Sequence, residues 1–469
     1  MNSNDIKPVP TSQVDASCRL PLLALFGGSA LWLVLGLLLE LTASLQFHAP
    51  GIFSCCPWMT YGRVLPAAND LLVYGFAIPT GMGVMLWVVA RLGQVELVLP
   101  LVSFAGANVW HLGVLAGTLG VLSGHSTGYA WFEYPRVAAA LLLPAFMLVA
   151  VSAVAAIGQR RIRDLYPSHW FFLASLLWFP WIYSTAFVFL LVWPVRGVAQ
   201  AVIDWWFASN LIVVWLSLVG LGISFYLLPK FSGRPLEGRF TALFAFVTLL
   251  LFGSWLGIPQ GAPVPFWLPA SSILAGLLFS VPVLVVALVF ARTVCGAPDC
   301  CKGGPFCQVK FGTAAFVLSG IWTVAQACPQ FAHSALLTTF DLGRIHWQIF
   351  GFFAITVMGG FYELFPRVMG SSLPLPGLPR FQHWLFISGA LVLAASLAVA
   401  GLQQQSADFI LARILPALRA SSLGWTLLLI GSLIFALNVF IMTIVWVVGI
   451  IKTVIGAIKA PLAVAEVKP

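Results

Sequence analysis

The sequence predicts an all-α integral membrane protein, a single bundle of twelve transmembrane helices with both termini on the cytoplasmic side. Three observations carry that expectation. The chain is 61% hydrophobic and only 8% charged, whereas soluble domains average roughly 25% charged residues. Apolar windows of about 20 residues, long enough to cross a bilayer as a helix, recur twelve times along it. With the N-terminus inside, the outer side holds only Arg63, Arg136, Arg196, Arg344, Arg413 and Arg419, which leaves 17 of the 23 Lys and Arg inside. That is the asymmetry expected of cytoplasmic loops.

The net charge of +9 is therefore a topology signal. No basic cluster interleaved with aromatics lies outside the apolar runs, so nothing points to nucleic acid. Residues 1–19 form a polar cytoplasmic tail, and the first apolar run is too long for the core of a cleavable signal peptide. The membrane domain covers 20–451, and the basic tail 452–469 suits an anionic inner leaflet.

Span one (20–45) carries Glu40 near its outer end, where it is expected to be solvated or salt-paired. Cys55-Cys56 follow in the outer loop with no identifiable partner. Span two (67–90) is led in by Tyr61-Gly62-Arg63-Val64-Leu65-Pro66-Ala67-Ala68-Asn69-Asp70. Span three (97–123) holds Trp110-His111 near mid-membrane and exits through Gly124-His125 towards Glu133-Tyr134-Pro135. His48 and His125 read as interfacial.

Span four (137–158) ends at a cytoplasmic anchor, Arg160-Arg161-Ile162-Arg163, and span five (170–194) contains Leu177-Trp178-Phe179-Pro180. Span six (205–228) begins Trp205-Trp206-Phe207-Ala208-Ser209-Asn210 and leaves through Leu228-Pro229-Lys230-Phe231-Ser232-Gly233-Arg234-Pro235-Leu236. Span seven (241–258) ends in Gly257-Ile258, ahead of Pro263-Val264-Pro265-Phe266-Trp267. After span eight (268–291), a cytoplasmic loop holds Cys295, Cys300, Cys301 and Cys307. Their spacing matches neither zinc knuckles nor ferredoxins, so they read as reduced thiols, with a metal as the weaker alternative.

Span nine (311–335) contains Cys328. Span ten (345–366) is opened by Asp341 and Gly343-Arg344-Ile345-His346. Spans eleven (382–403, with His383) and twelve (422–451) complete the bundle. An ionisable group at membrane depth is costly and marks a site by default, so His346 is the first candidate.

Taken together, these phrases resemble subunit I of the heme-copper oxidases, closest to the cbb3-type cytochrome c oxidases, over Tyr61 to Trp384. The resemblance implies a subunit I-like bundle in the bacterial inner membrane and a respiratory complex as its setting. It also implies what is missing. The second His of the helix-ten motif, a low-spin heme ligand, is His346, but the high-spin ligand is Arg344 and the second low-spin ligand is Ala68. The copper ligands fall at Ser209, Gly257 and Ile258, and the cross-linked tyrosine at Leu251.

A guanidinium has no lone pair for iron, and Ser, Gly and Ile offer copper nothing. The expected cofactor content is therefore none, at most one heme b, and no copper. The family activity is oxygen reduction with proton translocation, but no independent oxidase activity is expected here. The leading expectation is a non-catalytic structural or assembly subunit in the lipid bilayer. Its partners would be other respiratory subunits, c-type cytochromes or a fully liganded homologue.

Two alternatives stay open. One is a single-heme electron-transfer subunit using His346, with His111 as a weak second ligand. The other is an ion or quinone path through the emptied cofactor cavity, with Asp70, Asp204, Asp341 and Arg344 near its outer side. Arg344 is expected to pair with Asp341 or to hold an anion.

Overall fold

The computed structural model describes residues 9–53, 55–162, 164–295, 304–335, 338–404 and 411–465. After a short helix, Thr11–Ser17, it runs through α1 (Arg19–Gln46), α2 (Tyr61–Gly93), α3 (Pro100–Leu122), α4 (Arg136–Gly158), α5 (Pro167–Val192) and α6 (Val198–Ser232). Then come α7 (Arg239–Gly253), α8 (Trp267–Val294), α9 (Pro305–Ala327), α10 (Thr339–Met369), α11 (Leu378–Gln403) and α12 (Leu411–Ala465). No strand occurs among the described residues.

Ten of these helices, all except α7 and α9, are long and apolar enough to cross a membrane. α7 is apolar but only 15 residues long, about 22 Å at 1.5 Å per residue, against a hydrocarbon core of about 30 Å. α9 has the length, 23 residues, but carries Gln308, Lys310, Ser319, Thr323 and Gln326. Where twelve spans are expected from sequence, these two segments are thus helical without meeting both conditions.

The helix boundaries follow local chemistry. Pro100, Pro167 and Pro305 sit in first turns, where a missing N–H costs nothing. Gly233 and Gly370, at φ +67° in both cases, end α6 and α10, the left-handed stop that glycine takes without a Cβ penalty.

Burial sorts the helices into a core and a ring. The most apolar stretches of α2, α6 and α10 are 100%, 94% and 89% buried, against 22–56% for the other candidate spans. These three helices meet one another directly. A Cβ on Gly81 of α2 would lie 3.0 Å from both Phe353 of α10 and Val219 of α6, and one on Gly360 of α10 would lie 2.9 Å from Val84 of α2. Small residues permit that approach in a bilayer, where packing rather than the hydrophobic effect drives association.

Each inner helix also widens into a π-helical segment: Leu71–Ala77, Asn210–Trp215 and Trp347–Ala354. A fourth lies in α5 at Phe187–Val192. At the end of the bundle that holds the N-terminal helix, the Asp15 carboxylate accepts two hydrogen bonds from Arg91 and one from Trp87, each 2.8 Å. Those bonds clamp Thr11–Ser17 to α2.

Candidate functional site

A cavity of about 560 Å³ lies between α6, the α7–α8 connection, α8, α9 and α10. Its walls include Ser209, Gly257, Ile258 and Arg344. Four positions from three separate stretches of the sequence, each singled out by the resemblance as a cofactor ligand position, therefore face one space. They converge because α6 and α10 both lie in the buried core, while the chain leaving α7 turns back over their ends.

Gly257 is what makes that turn. Its φ is +111°, and a Cβ there would stand 2.6 Å from both the Ser209 Cβ and the Trp205 carbonyl oxygen. Gly257 is thus packed against the α6 turn that carries Ser209, with no room for a side chain of its own. Copper requires imidazole or thiolate donors, and Ser209, Gly257 and Ile258 do not fit it.

Arg344 closes the cavity from α10. Its Nε donates to Asp341 Oδ1 at 2.9 Å, and Gln326 Nε2 donates to the same oxygen at 3.3 Å. A permanently protonated group held this way does not fit an iron-ligand role. Leu251, at the expected tyrosine position, points the other way and is 55% exposed on the outer surface of α7.

His346 lies on α10 but faces a different space. Its Nδ1 donates to the Leu342 carbonyl at 2.7 Å, and its Nε2 points towards Glu40 Oε1 of α1, 4.0 Å away. Both of those facing atoms are buried and without a hydrogen-bond partner among the described residues. Of the two expectations for Glu40, the solvated one is corrected: it is 2% exposed, with a histidine as the partner it faces.

The ring of His346 is boxed by Phe350, stacked at 6.2 Å, and Trp425, edge-on at 5.0 Å. The cavity at this point is about 70 Å³, whereas sites for sizeable organic ligands run roughly 300–1,000 Å³. The residues around His346 in this arrangement therefore do not fit a heme. Leu65 lines that cavity, but Ala68, the counterpart ligand position, does not.

His111 is fully committed elsewhere. Trp32 Nε1 donates to its Nδ1 at 3.1 Å, and its Nε2 bonds the Ala24 carbonyl at 3.1 Å. With both nitrogens hydrogen-bonded it ties α3 to α1.

Asp70 and Asp204 do not line the large cavity. Asp70 is fully buried beside Glu133, and Asp204 accepts from the Ala130 amide at 3.4 Å. Glu133 lies in the loop between α3 and α4, where burial pushes its carboxyl up to about 7. Of the loop cysteines, Cys300 and Cys301 fall outside the described residues. Cys295 is exposed, Cys307 is buried in the first turn of α9, and no metal-binding cluster of His, Cys, Asp or Glu occurs among the described residues.

Two features escaped the sequence reading. The π-helical segments start one to three residues after Ala68, Ser209 and His346, the kind of bulge that concentrates at functional sites. Trp131, a bulky residue at φ +64°, is held in the left-handed region with its carbonyl accepting from Tyr74, and its side chain is presented to the large cavity. The Gly124–Pro135 loop hinted at an ordered turn, but not at this conformation.

A family model described as Cytochrome C and Quinol oxidase polypeptide I matches residues 21–416. Among curated proteins, the chain is 22% identical over 437 residues to the Cbb3-type cytochrome c oxidase subunit CcoN1 of Stutzerimonas stutzeri, covering 88% of this chain and 91% of that protein. It is 23% identical over 447 residues to a Cytochrome c oxidase subunit 1 homolog of Agrobacterium tumefaciens (strain T37), covering 87% and 80%. A solved heme-copper terminal oxidase dimer shares the fold at a TM-score of 0.75 and 15% identity, over 91% of this chain and 84% of that one.

Proposed function

The chain belongs to the cytochrome c and quinol oxidase polypeptide I family, and from that premise we propose that it is a ligand-depleted, non-catalytic subunit of a respiratory membrane complex. On this reading it is a twelve-span protein of the bacterial inner membrane with both termini cytoplasmic. It packs beside other subunits, c-type cytochromes or a liganded homologue, and carries no independent oxidase activity.

One observation carries the reading. The cavity where the resemblance puts copper and the high-spin heme is walled by Ser209, Gly257, Ile258 and an Arg344 already bonded to Asp341. Fold alone does not supply chemistry that the site lacks.

The test is a dithionite-reduced minus oxidised spectrum of the purified protein, with heme and copper assayed per chain. Neither cofactor at stoichiometric level is the expected result. About one heme per chain, lost in His346→Ala, would make the protein a single-heme electron-transfer subunit, and two hemes with copper would overturn the proposal.

The size of the cavity favours a second reading, an ion or quinone path through the emptied site. Neutralising Asp341 or Arg344 would then abolish transport in vesicles while the melting temperature stayed the same.

A further inference from the structure

We infer that the 560 Å³ cavity is a binding site for an organic carboxylate, an amphipathic acid whose head meets Arg344 and whose apolar part lies against Trp131 and Trp205. This rests on the reading that the cavity holds neither heme nor copper.

Hydrogen-bond donors outnumber free acceptors on the cavity wall. Arg344 spends only its Nε on Asp341, and among the described residues its two terminal amino groups have no partner. Gln260 Nε2 is buried in the wall with no partner among the described residues. Ser209 adds a hydroxyl. Among the described residues the cavity's one carboxylate, Asp341, is already engaged by Arg344 and Gln326. A surplus of donors that includes a guanidinium edge calls for an anionic acceptor, and a carboxylate matches that edge with two parallel hydrogen bonds.

The rest of the wall is apolar and aromatic, including Ile212, Leu256 and Ile273 beside the two tryptophans. An inorganic anion would leave that surface uncovered. The strained backbone of Trp131 supports the same assignment. Holding a tryptophan at φ +64° costs energy and persists where the surroundings fix it, a pattern that clusters at ligand sites. The volume lies within the usual range for small organic ligands, roughly 300–1,000 Å³.

Such an acid has two sources, the lipid phase and the aqueous phase. The test titrates the purified full-length protein in detergent with decanoate, below its micellar concentration, and separately with benzoate. Decanol and benzyl alcohol serve as the neutral counterparts. Tryptophan quenching and the shift in melting temperature are the readouts.

At least one carboxylate is expected to bind saturably at one per chain, with its alcohol weaker by about tenfold or more. Decanoate alone would assign the lipid phase, and benzoate alone the aqueous phase. Arg344→Gln is expected to weaken binding about tenfold, and Arg344→Lys to restore part of it. Gln260→Leu, expected to weaken it several-fold, decides the question if Arg344→Gln does not fold.

Saturable binding by neither acid, equal binding of the alcohols, or no effect of these substitutions would overturn the inference. Heme content of the same preparation separates two failures. Stoichiometric heme sinks the emptied-cavity reading, whereas heme-free protein that ignores both acids sinks only the carboxylate.

Discussion

Gly257→Ala tests whether the corner between Gly257 and Ser209 is closed. The new Cβ would meet the Ser209 Cβ and the Trp205 carbonyl oxygen at 2.6 Å, and neither is the far end of a flexible side chain. Gly261 provides the control: its φ is also positive, +77°, but a Cβ there meets nothing within 4 Å. Gly261→Ala should therefore carry only the backbone term, about 1–2 kcal/mol for an L-residue in the left-handed region. Gly257→Ala carries that term plus overpacking of about 1–3 kcal/mol, for a total of about 2–5 kcal/mol.

The assay is unfolding of the detergent-solubilised protein followed by tryptophan fluorescence, with the two variants compared side by side. A Gly257→Ala variant no less stable than Gly261→Ala would refute the reasoning. So would stoichiometric copper in a folded Ser209→His/Gly257→His double variant, because the contact leaves no room for two imidazoles.

Three further outcomes are expected. His111→Ala should destabilise by about 2–4 kcal/mol, since it opens a cavity and leaves the Trp32 indole N–H unpaired. It should leave the visible spectrum unchanged, and a spectral change would reinstate His111 as a ligand. Asp15→Ala should cost about 3 kcal/mol or more by leaving Arg91 without its bidentate partner, seen as earlier proteolysis or melting, and a neutral result would mean that Thr11–Ser17 is not clamped. For Glu133 the folded value, about 7, lies above the ordinary 4.5. Its contribution is therefore full below pH 4.5 and is lost as pH rises through about 7. Glu133→Gln should flatten that part of the pH–stability curve, and an unchanged curve would place the titration elsewhere.

The sequence by itself determined the membrane class and the positions of the helices. Bilayer thickness writes itself into the length of apolar runs, and local signals at Pro167, Gly233 and Gly370 mark where helices start and stop. It also showed which donors these positions lack, because side-chain chemistry is a property of residue type: Ser, Gly and Ile carry neither imidazole nor thiolate.

Only the tertiary structure decided which of those positions share a space. Leu251 and Gly257 are six residues apart, yet one faces outwards and the other lies against Ser209, a difference set by the turn at φ +111°. His346 and Arg344, two residues apart on α10, open onto separate cavities because positions two apart on a helix point about 200° apart and different helices pack against each. Glu40 read as an interfacial carboxylate from its place near the end of an apolar run, and only the packing of α1 against α10 and α12 put it opposite His346. Long-range partners of this kind leave no local trace in sequence, since they depend on how whole helices are placed.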